Sequence, residues 1–384
     1  MVRLTRAQQQ ERTRAAVLTA ARAEFTERGY AAAKVDKIAE RAELTRGAVY
    51  SNFPGKRALY LAVLLDLVEH GASEPAATTA PPSPTAPSPA PLSSAEALGA
   101  FARSWLEQLP LAGDAAAFGP VQLRSLSGVL DDEPIRTAFG QVTRLESLLL
   151  ALALESRAPE GAAPARQVRR AELVLRLLDG PGASVDPALV FGDPFDVAQA
   201  CAHLGTLALA DTWDPAYLPY IPPARVCHEP WNPPEKLRDL ITGRAVGFDE
   251  DGLVVVLGSH RLEAAEEAVR AAQDGDRVTV AVATGDPAEI GRLVQLRIGD
   301  FTRCLRRVFG PEVRPRLRIV LDDSGLLASA VGVTDADDTS EHAVRVRQGA
   351  LIARARGRGA AHAAATVGRT TSGISHTSRD GASR

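Results

Sequence analysis

Residues 29–53 read GYAAAKVDKIAERAELTRGAVYSNF, and the apolar spacing divides this stretch into two short helices. Val35, Ile38, Ala39 and Ala42 fall at i, i+3, i+4 and i+7, the single stripe of an amphipathic helix. Glu43-Leu44-Thr45 breaks the stripe and makes a turn, with Leu44 as an apolar plug between the helices. Thr45 is placed to cap the next helix, because its hydroxyl can accept an orphaned backbone N–H. That helix runs from about Arg46 to Phe53, with Val49 and Phe53 inward and Arg46, Gly47, Ala48, Tyr50 and Asn52 outward. Gly47 lowers helix propensity by about 1 kcal/mol relative to alanine, a cost that close approach of a partner would explain. Helix, tight turn and helix is the geometry that lays a second helix in the DNA major groove.

The flanking residues agree. A longer helix precedes the pair, with Val17, Leu18, Ala21 and Phe25 inward and Gly29 as its C-cap. Phe53-Pro54-Gly55-Lys56 is a sharp turn, after which Leu59, Tyr60, Val63, Leu64 and Leu67 form another stripe. Lys56 sits at the start of that helix, where backbone N–H groups also favour an anion such as a phosphate. The chain of 384 residues carries a net charge of -3, yet its first 70 residues hold about four net positive charges. A basic reading head on an acidic body is the expected footprint of nucleic-acid binding by one part of a chain.

Residues 11–70 resemble the DNA-binding domain of the TetR family of transcriptional regulators. The matching residues are Phe25-x-x-x-Gly29-Tyr30, Val35-x-x-Ile38-Ala39, Leu44-Thr45-Arg46-Gly47-Ala48-Val49-Tyr50-x-x-Phe53 and Lys56-x-x-Leu59. The resemblance implies that Arg46, Ala48 and Tyr50 face the groove and that Thr45, Tyr50 and Lys56 hold phosphates. Gly47 and Asn52 lie on the same outward face. Where the family has a Ser or Thr cap, this chain has Lys34. Either that cap is lost or Asp36 compensates by its charge near the helix start, and Lys34 is placed to reach a phosphate.

Composition bounds the rest. The length suits two or three domains, no run approaches the roughly 18 apolar residues of a membrane span, and the first residues are too polar for a signal peptide. Cys201, Cys227 and Cys304 are far apart, which argues against a disulfide framework and fits a reducing cytoplasm. Residues 72–92 (ASEPAATTAPPSPTAPSPAPL) read as an extended spacer after the head, residues 1–71. Such an insert either weakens coupling between head and body or leaves it to packing between domains.

Residues 93–211 read as helices: one opened by a capping box at Ser93-Ser94-Ala95-Glu96, one from about Phe118 to Leu130, one from Asp132-Glu133-Pro134 to about Ser156, and two more at 165–178 and 194–210. The resemblance makes this the helical ligand-binding and dimerisation domain. Trp105, Phe118, Gln122, Phe139 and His203 are its candidate pocket residues by chemistry, with a core or interface role as the plainer alternative.

After a Pro-rich connector at 212–234 the period changes. LVVVLG (253–258), RVTVAVAT (277–284) and RLRIVLD (316–322) read as strands alternating with helices at about 261–273 and 287–309. AVRVR (343–347) and ALIARAR (350–356) form a hairpin, and a short helix follows, so residues 235–366 make an α/β unit. Its order is similar to the thioredoxin fold in its peroxiredoxin-like variety, together with Asp323-x-Gly325-x-x-Ala328-x-x-x-Gly332-Val333. GSHRLEAAEEAV (258–269) has no cysteine where the family's redox motif belongs, and Thr339-Ser340-Glu341-His342 lacks the proline expected before the hairpin. Thiol exchange requires a thiolate, so no oxidoreductase activity is expected, and His260 reads as a surface residue. The tail, residues 367–384, reads as disordered.

The multidomain architecture expected is thus an all-α TetR-like head and helical body followed by a thioredoxin-like α/β unit. Its function is that of a cytoplasmic, homodimeric regulator, most often a repressor, that binds a double-stranded DNA operator and answers to a small-molecule effector. No cofactor, metal or membrane enters this reading. The alternatives are a thioredoxin-like enzyme with a DNA tether, or an oxidant sensor acting through Cys201, Cys227 or Cys304.

Overall fold

A computed structural model describes residues 5–71, 92–107, 128–158, 165–179, 193–310 and 316–368. Nearly all of the 72–92 spacer, most of the helix expected at 118–130 with Phe118 and Gln122, and nearly all of the tail lie outside the described residues. Elements are numbered among the described residues.

Four helices build the N-terminal unit. α1 (Arg6–Ala32) opens with a capping box between Thr5 and Gln8 and buries Val17, Ala21 and Phe25. Gly29 takes a φ of 69°, which bends the chain at the expected place; one further turn then carries the helix to Ala32. α2 (Val35–Arg41) buries Val35, Ile38 and Ala39, and α3 (Arg46–Asn52) buries Val49. α4 (Lys56–Gly71) is buried almost all round at residues 58–64. The α2–α3 turn is a Schellman motif: Leu44 N–H donates to Ala39 O and Glu43 N–H to Glu40 O, with Glu43 in the left-handed region at φ 56°.

The next helices are α5 (Ser94–Leu106), α6 (Glu133–Glu155), α7 (Val168–Asp179) and α8 (Pro194–Leu204). Ser93 and Glu96 form the expected capping box of α5, and Asp132 caps α6 with Pro134 in the first turn. α8 stops at Leu204, short of the expected 210. At Gly205 the backbone comes so close to α5 that a Cβ would stand 2.4 Å from Ala95 Cα.

Eight strands follow: β1 (Arg225–Pro230), β2 (Leu237–Arg238), β3 (Ala245–Val246), β4 (Gly252–Gly258), β5 (Arg277–Ala283), β6 (Leu317–Leu321), β7 (Glu341–Arg347) and β8 (Ala350–Arg356). Between them lie α9 (Ala265–Ala271), α10 (Arg292–Phe309) and α11 (Leu326–Val331), and α12 (Ala360–Thr366) comes last. The main sheet runs β1-β8-β7-β4-β5-β6, with β4, β5 and β6 parallel and the other pairs antiparallel. Five of its strands, and α9, α10 and α12, fall where the sequence pattern puts them; β1, in the Pro-rich connector, was not expected. β4 is central and covered on both faces, which is why it reads as an unbroken apolar run. Leu253, Val255 and Leu257 face one core, and Val254 and Val256 face a second core under α11, Trp231 and Phe248.

The first of these cores is shared. It joins residues of α5, α6, α7 and α8 to β4, β5, α9, α10 and α12 in one cluster. The change at 212–234 is therefore one of composition and not of packing, because helices 94–204 complete their core against the α/β unit. α10 is the common strut. Its Leu293 and Leu296 join the core of the N-terminal unit, while Val294, Ile298, Phe301, Cys304 and Leu305 enter the shared one.

Candidate nucleic-acid interface

α3 rests on Val49 and Phe53, both essentially buried, and presents its opposite face to solvent. Thr45 caps it as expected, its Oγ1 accepting from Ala48 N–H at 3.2 Å. Arg46, Gly47 and Tyr50 are exposed and Ala48 is half-buried. At Gly47 an added Cβ would meet nothing nearer than Thr45 Oγ1 at 3.9 Å. Nothing inside the chain therefore requires glycine there.

Arg46 does not wave free. It pairs with Asp36 of α2 at 3.2 Å and lies 5.4 Å from the centre of the Tyr50 ring. Tyr50 and then Asp36 hold its pKa above the ordinary arginine value. Asp36 thus orients Arg46, a role its placement near the start of α2 did not announce.

Two outward residues, Asn52 and Lys56, are less available than the sequence implied. The Asn52 side-chain amide donates to Ala48 O at 2.8 Å and is half-buried, because a polar side chain at a helix end satisfies a nearby carbonyl before it reaches out. Lys56 donates to Ala31 O at 3.0 Å and sits 4.8 Å from the centre of the Tyr30 ring, and burial lowers its pKa. An ammonium has three donors, so Lys56 keeps capacity for a phosphate. Lys34 is exposed at the N-cap of α2 and makes no side-chain cap bond. The same helix end is tied to α1, whose buried Glu24 accepts the Lys34 N–H at 3.4 Å and pairs with Arg28 and Arg41.

The contacts that seat α3 come from far along the chain. The Phe53 ring carries Arg14, 4.8 Å from its centre, and Arg292, at 5.6 Å. Beside it Arg57 of α4 donates to Asp132 at 2.8 Å and to Glu289 at 2.9 Å, and also pairs with Asp131. Burial pulls Arg57 down, and Asp132, Glu289 and Asp131 more than offset it, leaving its pKa raised. None of Arg14, Arg57, Glu289 or Arg292 stood out in sequence, since partners far apart in the chain leave no local pattern.

Three of the candidate pocket residues, Trp105, Phe139 and His203, lie among the described residues. Trp105 is buried against Phe101 and Phe301, and Phe139 is half-buried. The two do converge, but on a side chain: the Arg297 guanidinium lies 5.5 Å from the Trp105 ring centre and 4.9 Å from that of Phe139. It pairs with the fully buried Glu146 through bonds of 2.9 and 2.7 Å. His203 is exposed at the end of α8, away from this cluster's buried core. An open groove of about 400 Å³ lies instead between α5 and α8, lined by Leu92, Ala95, Gly99, Ala100 and Ala202, with Glu96 and Arg103 as its charged groups.

In the α/β unit, Ser259 and His260 follow β4. Ser259 is buried and donates to Asp338 Oδ1 at 2.7 Å, and His260 Nε2 lies 3.2 Å from Pro134 O. Cys201 and Cys304 are buried and Cys227 is half-buried, and burial pushes the Cys201 thiol up to about 11. Such a thiol is protonated at neutral pH and a poor nucleophile. Among the described residues no group of three or more His, Cys, Asp or Glu side chains could hold a metal ion, and no helix is long and apolar enough to cross a membrane.

Comparison with known proteins bears on the N-terminal unit. Residues 17–63, from within α1 into the middle of α4, match the model of the bacterial regulatory proteins of the tetR family. No curated protein matches the chain.

Proposed function

We propose, with that tetR-type helix-turn-helix as premise, that the chain is a dimeric transcriptional repressor released from its operator by a small molecule. A DNA-binding transcription regulator is what the match over residues 17–63 supports. The observation that carries the finer reading is α3 itself: a capped helix with a buried inner side and Arg46, Gly47 and Tyr50 turned to solvent. Two copies would set two such helices into successive major grooves about 34 Å apart. In this docking Arg46 and Ala48 meet base edges, while Thr45, Tyr50, Lys34 and Lys56 hold the backbone. Gly47 lets the helix approach.

The effector acts on the body, and the groove between α5 and α8 is its candidate site among the described residues. The α/β unit is thioredoxin-like in its peroxiredoxin variety. Three parallel strands extended by an antiparallel hairpin support this, as does Asp322, whose carboxylate accepts from Leu327 and Ala328 N–H at the start of α11. It is a structural and regulatory part and not an enzyme, given Ser259 and His260 where a cysteine would act and a Cys201 thiol that burial keeps protonated.

Selection of genomic fragments bound by the protein, followed by titration against salt, tests the reading. Arg46→Ala should change which sequences are enriched, and Tyr50→Ala should weaken binding to all of them. Binding indifferent to both substitutions would remove this docking.

A further inference from the structure

We propose that the α/β unit positions the reading helix, with Arg292 and Glu289 as positioning residues for DNA recognition; this rests on α3 being the helix that meets DNA. Arg292 opens α10, and its guanidinium lies 5.6 Å from the centre of the Phe53 ring. Its Nη1 donates to Ala58 O at 2.8 Å and to Ala288 O at 3.0 Å. One side chain from the α/β unit therefore touches the residue that ends α3 and the first turn of α4. Glu289, less than one turn earlier, accepts from Arg57 at 2.9 Å. Both residues belong to the π-helical turn Pro287–Gly291 and the start of α10 that follows it, so any shift of that segment moves both contacts together. Leu293 and Leu296 complete the seat on its apolar side.

Little else holds α3 in place. A helix of seven residues is too short to be stable by itself. Its own anchors are Val49 and the cap residue Phe53, so whatever fixes the Phe53 ring fixes the direction in which Arg46 and Tyr50 point. Two cations, Arg14 and Arg292, lie over this buried ring, a setting where cation–π attraction is strongest. Arg303, further along α10, adds a bond to Val68 O at 3.3 Å near the far end of α4. Communication between body and head then runs through α10 and does not depend on the Pro-rich spacer.

Amide hydrogen exchange and DNA titration on the full chain test this with Arg292→Ala, Arg292→Lys and the isosteric Glu289→Gln. Arg292→Ala should speed exchange across residues 46–53 by about tenfold while β4, β5 and β6 exchange as in the parent. Operator affinity should fall by about tenfold with an unchanged salt slope, because no phosphate contact is lost. Arg292→Lys, which keeps the cation and a donor, should recover most of both effects, and Glu289→Gln should reproduce the Arg292→Ala pattern more weakly. If folded Arg292→Ala and Glu289→Gln both keep parental exchange over 46–53, the proposal is wrong. Faster exchange in variants of a parent that binds no DNA would leave the positioning standing and remove the DNA reading instead.

Discussion

Gly47 sits on the solvent face of α3 with room for a side chain, so nothing inside the chain requires glycine there. Gly47→Ala should stabilise the N-terminal unit by about 0.5–1 kcal/mol, the usual difference in helix propensity, and at the same time weaken operator binding. Denaturant titration beside a gel-shift titration checks both halves, and a stabilised variant with parental affinity would show that no close approach occurs at this position. Glu43 is the converse case. It occupies the left-handed C′ position of a Schellman turn, where a Cβ is strained and glycine is favoured. Glu43→Gly should raise stability by about 1 kcal/mol without touching the reading face. An unchanged or lowered midpoint in denaturant would mean that the Glu43 side chain makes up for its backbone. Apolar patterning exposed neither strain nor freedom of this kind, because both lie in the backbone conformation and the empty space around a residue.

At the scale of elements, legibility followed range. α3, β4 and the hairpin of β7 and β8 could be read because their signals are periodic within a few residues: Val49 and Phe53 four apart, LVVVLG without a break, alternation through AVRVR. The roles of α10 could not be read. Its sequence gives an amphipathic helix, yet its arginines point at other elements: Arg292 at Ala58 O, Arg303 at Val68 O, Arg297 at Glu146. Trp105 and Phe139 were singled out as pocket residues on chemistry alone, and the guanidinium that fills the space between them comes from residue 297. That buried pair gives α6 and α10 a pH-dependent joint. Burial pushes Glu146 up to about 7 against the opposing pull of Arg297. A folded pKa above the unfolded value near 4.5 means that folding takes up a proton between these two values. The contribution of Glu146 to stability is thus full below about pH 4.5 and is lost as pH rises through about 7. Relative to Glu146→Gln, the parent should lose on the order of 1–3 kcal/mol between about pH 5 and about pH 8. Parallel stability curves for the two proteins over that range would place the carboxylate among the ionised groups throughout.

For the whole molecule the question is whether the helices at 94–204 are a domain. The composition break at 212–234 invites a cut there, and a chain ending at residue 211 is the natural fragment of a two-part regulator. The packing forbids it. Phe301 stands 5.4 Å from Phe101 and 5.8 Å from Trp105, ring centre to ring centre, so the cut uncovers the aromatic heart of α5. It also strips the partners from buried acids: Glu146 loses Arg297, and Glu155 loses Arg270, which donates to it twice at 2.7 Å. Removing one partner of a buried ion pair costs about 3–5 kcal/mol, and two such losses approach the whole stability of an ordinary domain, about 5–15 kcal/mol. A fragment of residues 1–211 should therefore lack the near-ultraviolet circular dichroism of fixed aromatic packing and show no cooperative transition for its helices 94–204 in calorimetry. In the full chain those helices should melt in one transition with the sheet, since they share its core. A fragment that unfolded cooperatively and still bound operator would show that the helices can close a core without the sheet, and that α10 decorates the regulator instead of holding it together.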